Sequence, residues 1–249
     1  MRSIVISDLH HRYRWVEPYL AAQTYDEVIF IGDYFDGLRD TPEQARDTAR
    51  WLKESLNQPH RIHLMGNHDV WYGYGCPYAF CSDNTEAKKE AIDSVLTAGD
   101  WERLELCYWS QRILFSHAGI HPRWFSHPIH GVELNYIKRV CEIGRKNLVN
   151  GNPDPIFMAG RARGGGYGRR PGGITWLDFN HEFEPIDGLN QIVGHTPHAA
   201  PDSEGVVKWK PNKIKPRSTN YCVDFNNKWV TLVEDGVVTF EKSPLHAGR

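Results

Sequence analysis

Leu64-Met65-Gly66-Asn67-His68-Asp69 ends a short apolar run with a glycine and then presents an amide, an imidazole and a carboxylate in succession. The residues leading into it, Arg61-Ile62-His63-Leu64-Met65, alternate and then fill with apolar side chains, so they read as a strand that Gly66 breaks. Asn67, His68 and Asp69 are therefore expected on a loop at a strand's carboxyl end. Two upstream runs have the same form. Ser3-Ile4-Val5-Ile6-Ser7 is followed by Asp8 and His10, and Val28-Ile29-Phe30-Ile31-Gly32 by Asp33 and Asp36. Between the runs lie helical patterns, one from Trp15 to Gln23 and one from Thr41 to about Leu56, with Thr41 as N-cap and Pro42 at the first helical position. Three strands separated by two helices predict an α/β fold with parallel pairing at its start. Ligands of such sheets gather at the carboxyl ends of the strands, where the three polar clusters can converge.

The middle of the chain is less regular. Residues 70–84 are rich in aromatics and glycine and read as a surface loop, and Thr85 to Ala98 reads as one capped helix. The earlier pattern then returns twice. Arg112-Ile113-Leu114-Phe115 leads into Ser116-His117-Ala118-Gly119, and Asn190-Gln191-Ile192-Val193 leads into Gly194-His195-Thr196-Pro197-His198. Between them, 120–150 looks largely helical and 160–173, rich in Gly and Arg, reads as a mobile basic loop. Strand patterns close the chain at Tyr221–Phe225, Trp229–Val233 and Val237–Phe240, the last two joined by a hairpin through Glu234-Asp235-Gly236.

At 249 residues, with 40% hydrophobic and 24% charged side chains, the chain has the make-up of one soluble globular domain spanning 1–249. A formal charge of −2 provides no global field for nucleic acid or anionic membrane, so any attraction to phosphate must be local. No stretch approaches the ~20 apolar residues of a membrane span, and the first residues run straight into a strand pattern, so a cytoplasmic protein is expected. The five cysteines, Cys76, Cys81, Cys107, Cys141 and Cys222, lack Cys-x-x-Cys spacing and are read as free thiols. The basic run Lys208, Lys210, Lys213, Lys215 and Arg217 is read as a solvated face.

Taken singly, Asp8, Asp36 and Asn67 are equally good turn residues, and His117 or His195 could each be a hydrogen-bonded core histidine. Repetition at five strand ends argues otherwise. Asp8, His10, Asp33, Asn67, His117 and His195 form a set of oxygen and imidazole donors without thiolate, suited to two metal ions with Asp33 shared between them and a bridging hydroxide as nucleophile.

In order, Asp8-Leu9-His10, Gly32-Asp33-Tyr34-Phe35-Asp36, Gly66-Asn67-His68-Asp69, Ser116-His117-Ala118-Gly119 and Gly194-His195-Thr196 resemble the motifs of the calcineurin-like metallophosphoesterase superfamily, in its branch of serine/threonine phosphatases and bacterial dinucleoside tetraphosphatases. The resemblance implies a four-layer α/β/β/α sandwich of two mixed sheets and a hydrolase of phosphate esters or anhydrides. Asp8, His10 and Asp33 would hold one ion, and Asp33, Asn67, His117 and His195 the other. Mn²⁺ is the first expectation, with Fe, Zn²⁺, Ni²⁺, Co²⁺ or Mg²⁺ as alternatives. His68 would protonate the leaving alkoxide and Asp36 would orient it. Substrates would be a phosphorylated small molecule, a nucleotide or a phosphoprotein, with no membrane and no stable nucleic-acid partner. The competing readings are a metallonuclease or cyclic nucleotide phosphodiesterase of the same superfamily, and a non-catalytic binding module on the same scaffold. Gly37 stands where that branch has an arginine. The phosphate clamp is therefore sought at Arg161 or Arg163, then at Arg39, with Arg169 and Arg170 inside the Gly-rich stretch. His198 follows His195 by three residues, where many relatives place a second histidine after two, and is left outside the ligand set.

Overall fold

The computed structural model describes residues 1–124, 134–165, 170–201 and 217–245. The expected first half is present: β1 (Arg2–Ile6), α1 (Val16–Ala21), β2 (Glu27–Phe30), α2 (Pro42–Leu56) and β3 (Arg61–His63) alternate, and the three strands pair in parallel. Helix α2 begins as its sequence dictates. Thr41 accepts from the Gln44 backbone N–H, Gln44 reaches back to the Thr41 N–H, and Pro42 occupies the first turn.

The rest supplies α3 (Asn67–Tyr74), α4 (Glu86–Asp93), α5 (Ala98–Glu102), β4 (Cys107–Ser110), β5 (Ile113–Ser116), α6 (Leu134–Val149), β6 (Asn190–Val193), β7 (Asn220–Cys222), β8 (Trp229–Glu234) and β9 (Val237–Lys242). Two mixed sheets result, one ordered β3-β2-β1-β8-β9 and the other β4-β5-β6-β7. Strand alternation sorts the side chains into layers. Val5, Ile29, Ile31 and Leu64 of the first sheet share a core with Phe115, Ile192 and Val223 of the second, which fills the space between the sheets. Ile4, Ile6, Val28 and Phe30 point the other way, into the core that holds Val16 and Leu20 of α1 and Leu52 of α2, while Leu114 joins Ile137 and Leu148 of α6. At ~1.5–3 kcal/mol for each fully buried large apolar side chain, this burial on both faces of each sheet holds the strand ends in fixed register.

Several expectations need correction. Asn67, His68 and Asp69 open helix α3 rather than a loop, because the Asp69 carboxylate accepts the Gly66 N–H at 2.8 Å and so caps the first turn. Residues 70–84 are no surface loop, since Val70, Trp71, Tyr72, Cys76, Ala79, Cys81 and Asn84 are all buried. The single helix expected over Thr85–Ala98 is two, because Thr97 caps a new helix by accepting from Asp100 N–H and donating its own N–H to Asp100. Helix in 120–150 runs over Leu134–Val149, and 125–133 lie outside the described residues. Strand β4 was not foreseen, and β7 ends at Cys222 rather than Phe225.

The Gly-rich stretch is also tighter than expected. Glu182 accepts the N–H groups of Ala162 and Gly172, Gly173 donates to Met158 O, and a Cβ at Gly172 would lie 2.4 Å from Trp176 O. The glycines permit close backbone approach here. Residues 166–169, including Arg169, and the lysines of the 208–215 run lie outside the described residues, whereas Arg217 is paired with Asp187 at 2.8 Å. The hairpin follows its expected course, with Asp235 and Gly236 both at positive φ between β8 and β9. No helix among the described residues is long and apolar enough to cross a membrane.

Candidate metal centre

The carboxyl ends of β1, β2, β3, β5 and β6 meet where the two sheets face each other. One carboxylate or imidazole atom from each of Asp8, His10 and Asp33 lies within 4.8 Å of the others, and the same holds for Asp33, His117 and His195. Asp33 belongs to both groups. Asp8, His10, Asp33, Asp36 and His195 all have φ between 43° and 65°, a left-handed conformation costing of order 1–3 kcal/mol per non-glycine residue and concentrated at functional sites.

Hydrogen bonds aim each donor. The His10 Nδ1–H donates to Phe35 O at 2.9 Å and leaves Nε2 facing Asp33, 3.8 Å from Oδ2. His117 Nδ1–H donates to Ile31 O at 2.7 Å, so its Nε2 faces Asn67 Oδ1 at 2.9 Å and Asp33 Oδ2 at 3.4 Å. Asn67 in turn sets its Nδ2 against Cys81 Sγ, which fixes the carbonyl end toward His117. The His195 backbone N–H donates to Asp8 Oδ1 at 3.1 Å. Its Nε2 is buried and has no partner among the described residues.

The loop carrying Asp33 and the start of α3, which carries Asn67, touch through glycine. A Cβ at Gly66 would lie 2.1 Å from Asp33 Oδ1, and one at Gly32 would lie 2.4 Å from Gly66 N. Asp69 locks the same contact by accepting Asp33 N–H at 2.8 Å and Tyr34 N–H at 3.0 Å besides Gly66 N–H. Sequence reading gave Asp69 no role, although a carboxylate three residues after a helix N-cap is itself a capping signal.

The electrostatics fit a cation. Burial pushes Asp8 well above the usual carboxylate range, with Asp224 adding to it. Burial works the same way on Asp33, but the His117 and His68 imidazoles outweigh it and hold its pKa low. Burial opposes charge on His117 too, yet Asp33 raises its pKa to about 10, while burial and His117 hold His195 well below its ordinary value. A concentration of buried carboxylate that enlists an imidazolium as counter-charge, next to an orphaned imidazole nitrogen, is what divalent cations would satisfy. With oxygen and nitrogen donors only, the set fits Mn²⁺, Fe, Zn²⁺ or Mg²⁺-like ions.

Beside this cluster, the rings of His68 and His10 meet edge to face at 5.2 Å. His68 Nδ1 pairs with Asp36 Oδ2 at 2.9 Å, and its backbone N–H donates to Asp33 Oδ1 at 3.0 Å. Burial lowers the pKa of His68, but Asp33 and Asp36 more than offset it and push it up to about 9. Asp36 has further partners absent from the sequence reading: Tyr72, Asn84 and Lys88.

Of the arginines, Arg163 alone is held against the cluster among those described: its Nε bonds Asp178 Oδ2 at 2.8 Å and its Nη2 lies 3.4 Å from His195 O and 3.3 Å from Thr196 Oγ1. Arg39 and Arg161 are exposed and are not brought to the ligand set, since Arg39 sits in a left-handed turn beside the nearly fully exposed Leu38. Trp176, also unforeseen, sets its ring edge to face with His195 at 5.6 Å.

The model of the family described as calcineurin-like phosphoesterase matches residues 1–199. No curated protein matches the sequence. Among solved structures, a point mutant of a cold-active protein tyrosine phosphatase superposes with a TM-score of 0.58 at 16% identity, covering 97% of this chain and 80% of that one, and so shares the fold. A metallophosphoesterase from Sphaerobacter thermophilus aligns at 17% identity with a TM-score of 0.43 (97% and 87% covered). A serine/threonine phosphatase from Saccharomyces cerevisiae aligns at 14% identity with a TM-score of 0.48 (97% and 80% covered).

Proposed function

The chain belongs to the calcineurin-like phosphoesterase family, and from that premise we propose that it hydrolyses a phosphate ester or anhydride with two divalent ions held by Asp8, His10, Asp33, Asn67, His117 and His195. The observation that carries this reading is the convergence of Asp33, His117 and His195, with Asp33 shared by Asp8 and His10, beside a buried His195 Nε2 that has no partner among the described residues. Leaving such a group unpaired costs ~1–3 kcal/mol, which a bound ion would offset. Bound ions would supply Lewis acidity toward the phosphoryl oxygens and toward the attacking water.

The chain's own groups would do the rest. His68, with its Nδ1–H held by Asp36, presents Nε2 beside His10 and would give its proton to the leaving oxygen. Asp36, set against Nδ1, favours the protonated ring. Arg163, positioned by Asp178, would grip phosphoryl oxygens facing away from the ions, a task suited to a planar guanidinium. Residues 1–249 would act as one domain, a reading supported by the last strands, β8 and β9, completing the sheet begun by β1. Mn²⁺ is the ion we would supply first.

The test is a hydrolysis screen of Mn²⁺-loaded protein against p-nitrophenyl phosphate, its bis ester, a phosphopeptide and a dinucleoside tetraphosphate, with metal content measured alongside. Two ions per chain and turnover of at least one substrate are expected. Stoichiometric metal with none of the four cleaved would overturn the hydrolase reading.

A further inference from the structure

Helix α4 carries Lys88 from the far side of the residue 70–84 segment into the interior, where its side chain is 5% exposed. Its Nζ donates to Asp36 Oδ1 at 2.6 Å, to Asp40 Oδ2 at 3.0 Å and to the Asp83 carbonyl, which uses every N–H of the ammonium. Asp40 is shared in turn with His11, whose Nε2 lies 2.8 Å from Oδ2 and whose Nδ1 meets Thr48 of α2.

Asp36 is thereby fully subscribed. Its Oδ1 takes the Tyr72 hydroxyl at 2.6 Å and Lys88, and its Oδ2 takes Asn84 Nδ2 at 2.6 Å and His68 at 2.9 Å. A carboxylate offers about four lone-pair sites, and here each has one donor. With Oδ1 anchored twice and Oδ2 held by Asn84, the carboxylate cannot rotate away and keeps Oδ2 on His68.

Stability alone does not account for the buried ion pairs. Pairs moved out of water often give no more stability than well-packed apolar side chains of the same volume, so apolar residues in place of Lys88, Asp36 and Asp40 together would serve folding as well. We propose that Lys88 is a positioning residue for His68: acting through Asp36, it holds the imidazole in the orientation and tautomer that present Nε2 to a leaving group. This rests on the proposed phosphoesterase reading of the site. Tyr72 and Asn84 share the task as neutral donors, and Lys88 supplies the charge-assisted bond, about twice as strong as a neutral one.

A general acid matters in proportion to the basicity of the leaving group, which separates positioning from mere structure. Lys88→Met, loaded with Mn²⁺, is expected to lose kcat/KM on phenyl phosphate by roughly tenfold to a hundredfold and to stay within about threefold of wild type on 2,4-dinitrophenyl phosphate, whose leaving group needs no proton. His68→Asn should give the same pattern with a larger loss. Lys88→Gln, which keeps an N–H for Asp36 but no charge, should fall between Lys88→Met and wild type, and it replaces Lys88→Met should that variant not fold. A second readout needs no turnover: the His68 Nδ1 proton held by Asp36 should give a downfield proton resonance in wild type that is absent in His68→Asn and lost or broadened in the Lys88 variant. An equal loss on both esters, no loss on either, or an unchanged His68 resonance would overturn the proposal. Should wild type cleave neither ester, the phosphoesterase reading fails and the resonance alone decides whether Lys88 positions His68.

Discussion

Asp36 and His195 follow strands of opposite sheets and are both buried, yet they end in opposite conditions. Asp36 has a donor for each lone pair, drawn from α3, α4 and the segment between them. His195 has an imidazole nitrogen with no partner among the described residues. The arm built around Asp36 is complete in itself, and the arm built around His195 is complete only when something binds. A group that handles a proton must be oriented before the substrate arrives, whereas a ligand atom must stay free for the ion. The difference in hydrogen bonding fits the proton-handling role proposed for the Asp36 arm and the ligand role proposed for His195.

Asp33 lies between the arms, and its removal should have the largest effect. Asp33→Asn removes the charge common to both donor groups and is expected to abolish turnover and lose both ions, as elemental analysis would show; two retained ions would break the comparison at its centre. His68→Asn touches only the closed arm. It should lose turnover by roughly 10²–10⁴-fold with both ions retained, and loss of an ion would make His68 a ligand instead. On the open arm, Arg163→Ala should lower kcat/KM by about 10²–10³-fold with metal content unchanged, while Arg161→Ala stays near wild type. Equal losses in the two arginine variants would mean that their different exposure is irrelevant.

Two smaller effects concern stability. Asp69→Ala leaves three buried N–H groups unsatisfied and should cost about 3 kcal/mol or more in chemical denaturation of the metal-free protein. His63 provides the pH test. It stacks on Phe30 at 4.5 Å and hydrogen-bonds Tyr34 and Ser55, and burial lowers its pKa to about 3. The unfolded chain therefore binds a proton that the folded chain refuses, and stability is lost as pH falls below ~6.5 toward 3. Between pH 7.5 and 5 wild type should lose about 2 kcal/mol more than His63→Gln in denaturant titrations.

What the sequence made legible was whatever had a period or an order. Apolar runs ending in Asp8, Asp33, His117 and His195 marked the strands, Thr41-Pro42 marked α2, and Asp235-Gly236 marked the hairpin. Tyr72, Asn84 and Lys88 were missed because they come from stretches read as a surface loop and a capped helix, and because a buried polar network follows no repeat. One signal was available. Lys88 stands three and four residues before Ala91 and Ile92, so helical spacing places it on the apolar face, where a lysine needs a partner. The start of α3 was hidden by Gly66, which caps poorly on its own and depends on Asp69.

Because Asp33 is shared, the two donor groups differ in how much chain they enclose. Asp8, His10 and Asp33 span about 25 residues within one strand-helix-strand unit, whereas Asp33, His117 and His195 span about 160 and require the second sheet to have docked. Closing the longer loop costs roughly 1.6 kcal/mol more chain entropy, and its contacts are made between sheets rather than between neighbours in sequence. The first half-site therefore draws its ligands from neighbours in sequence, whereas the second exists only across the closed sandwich.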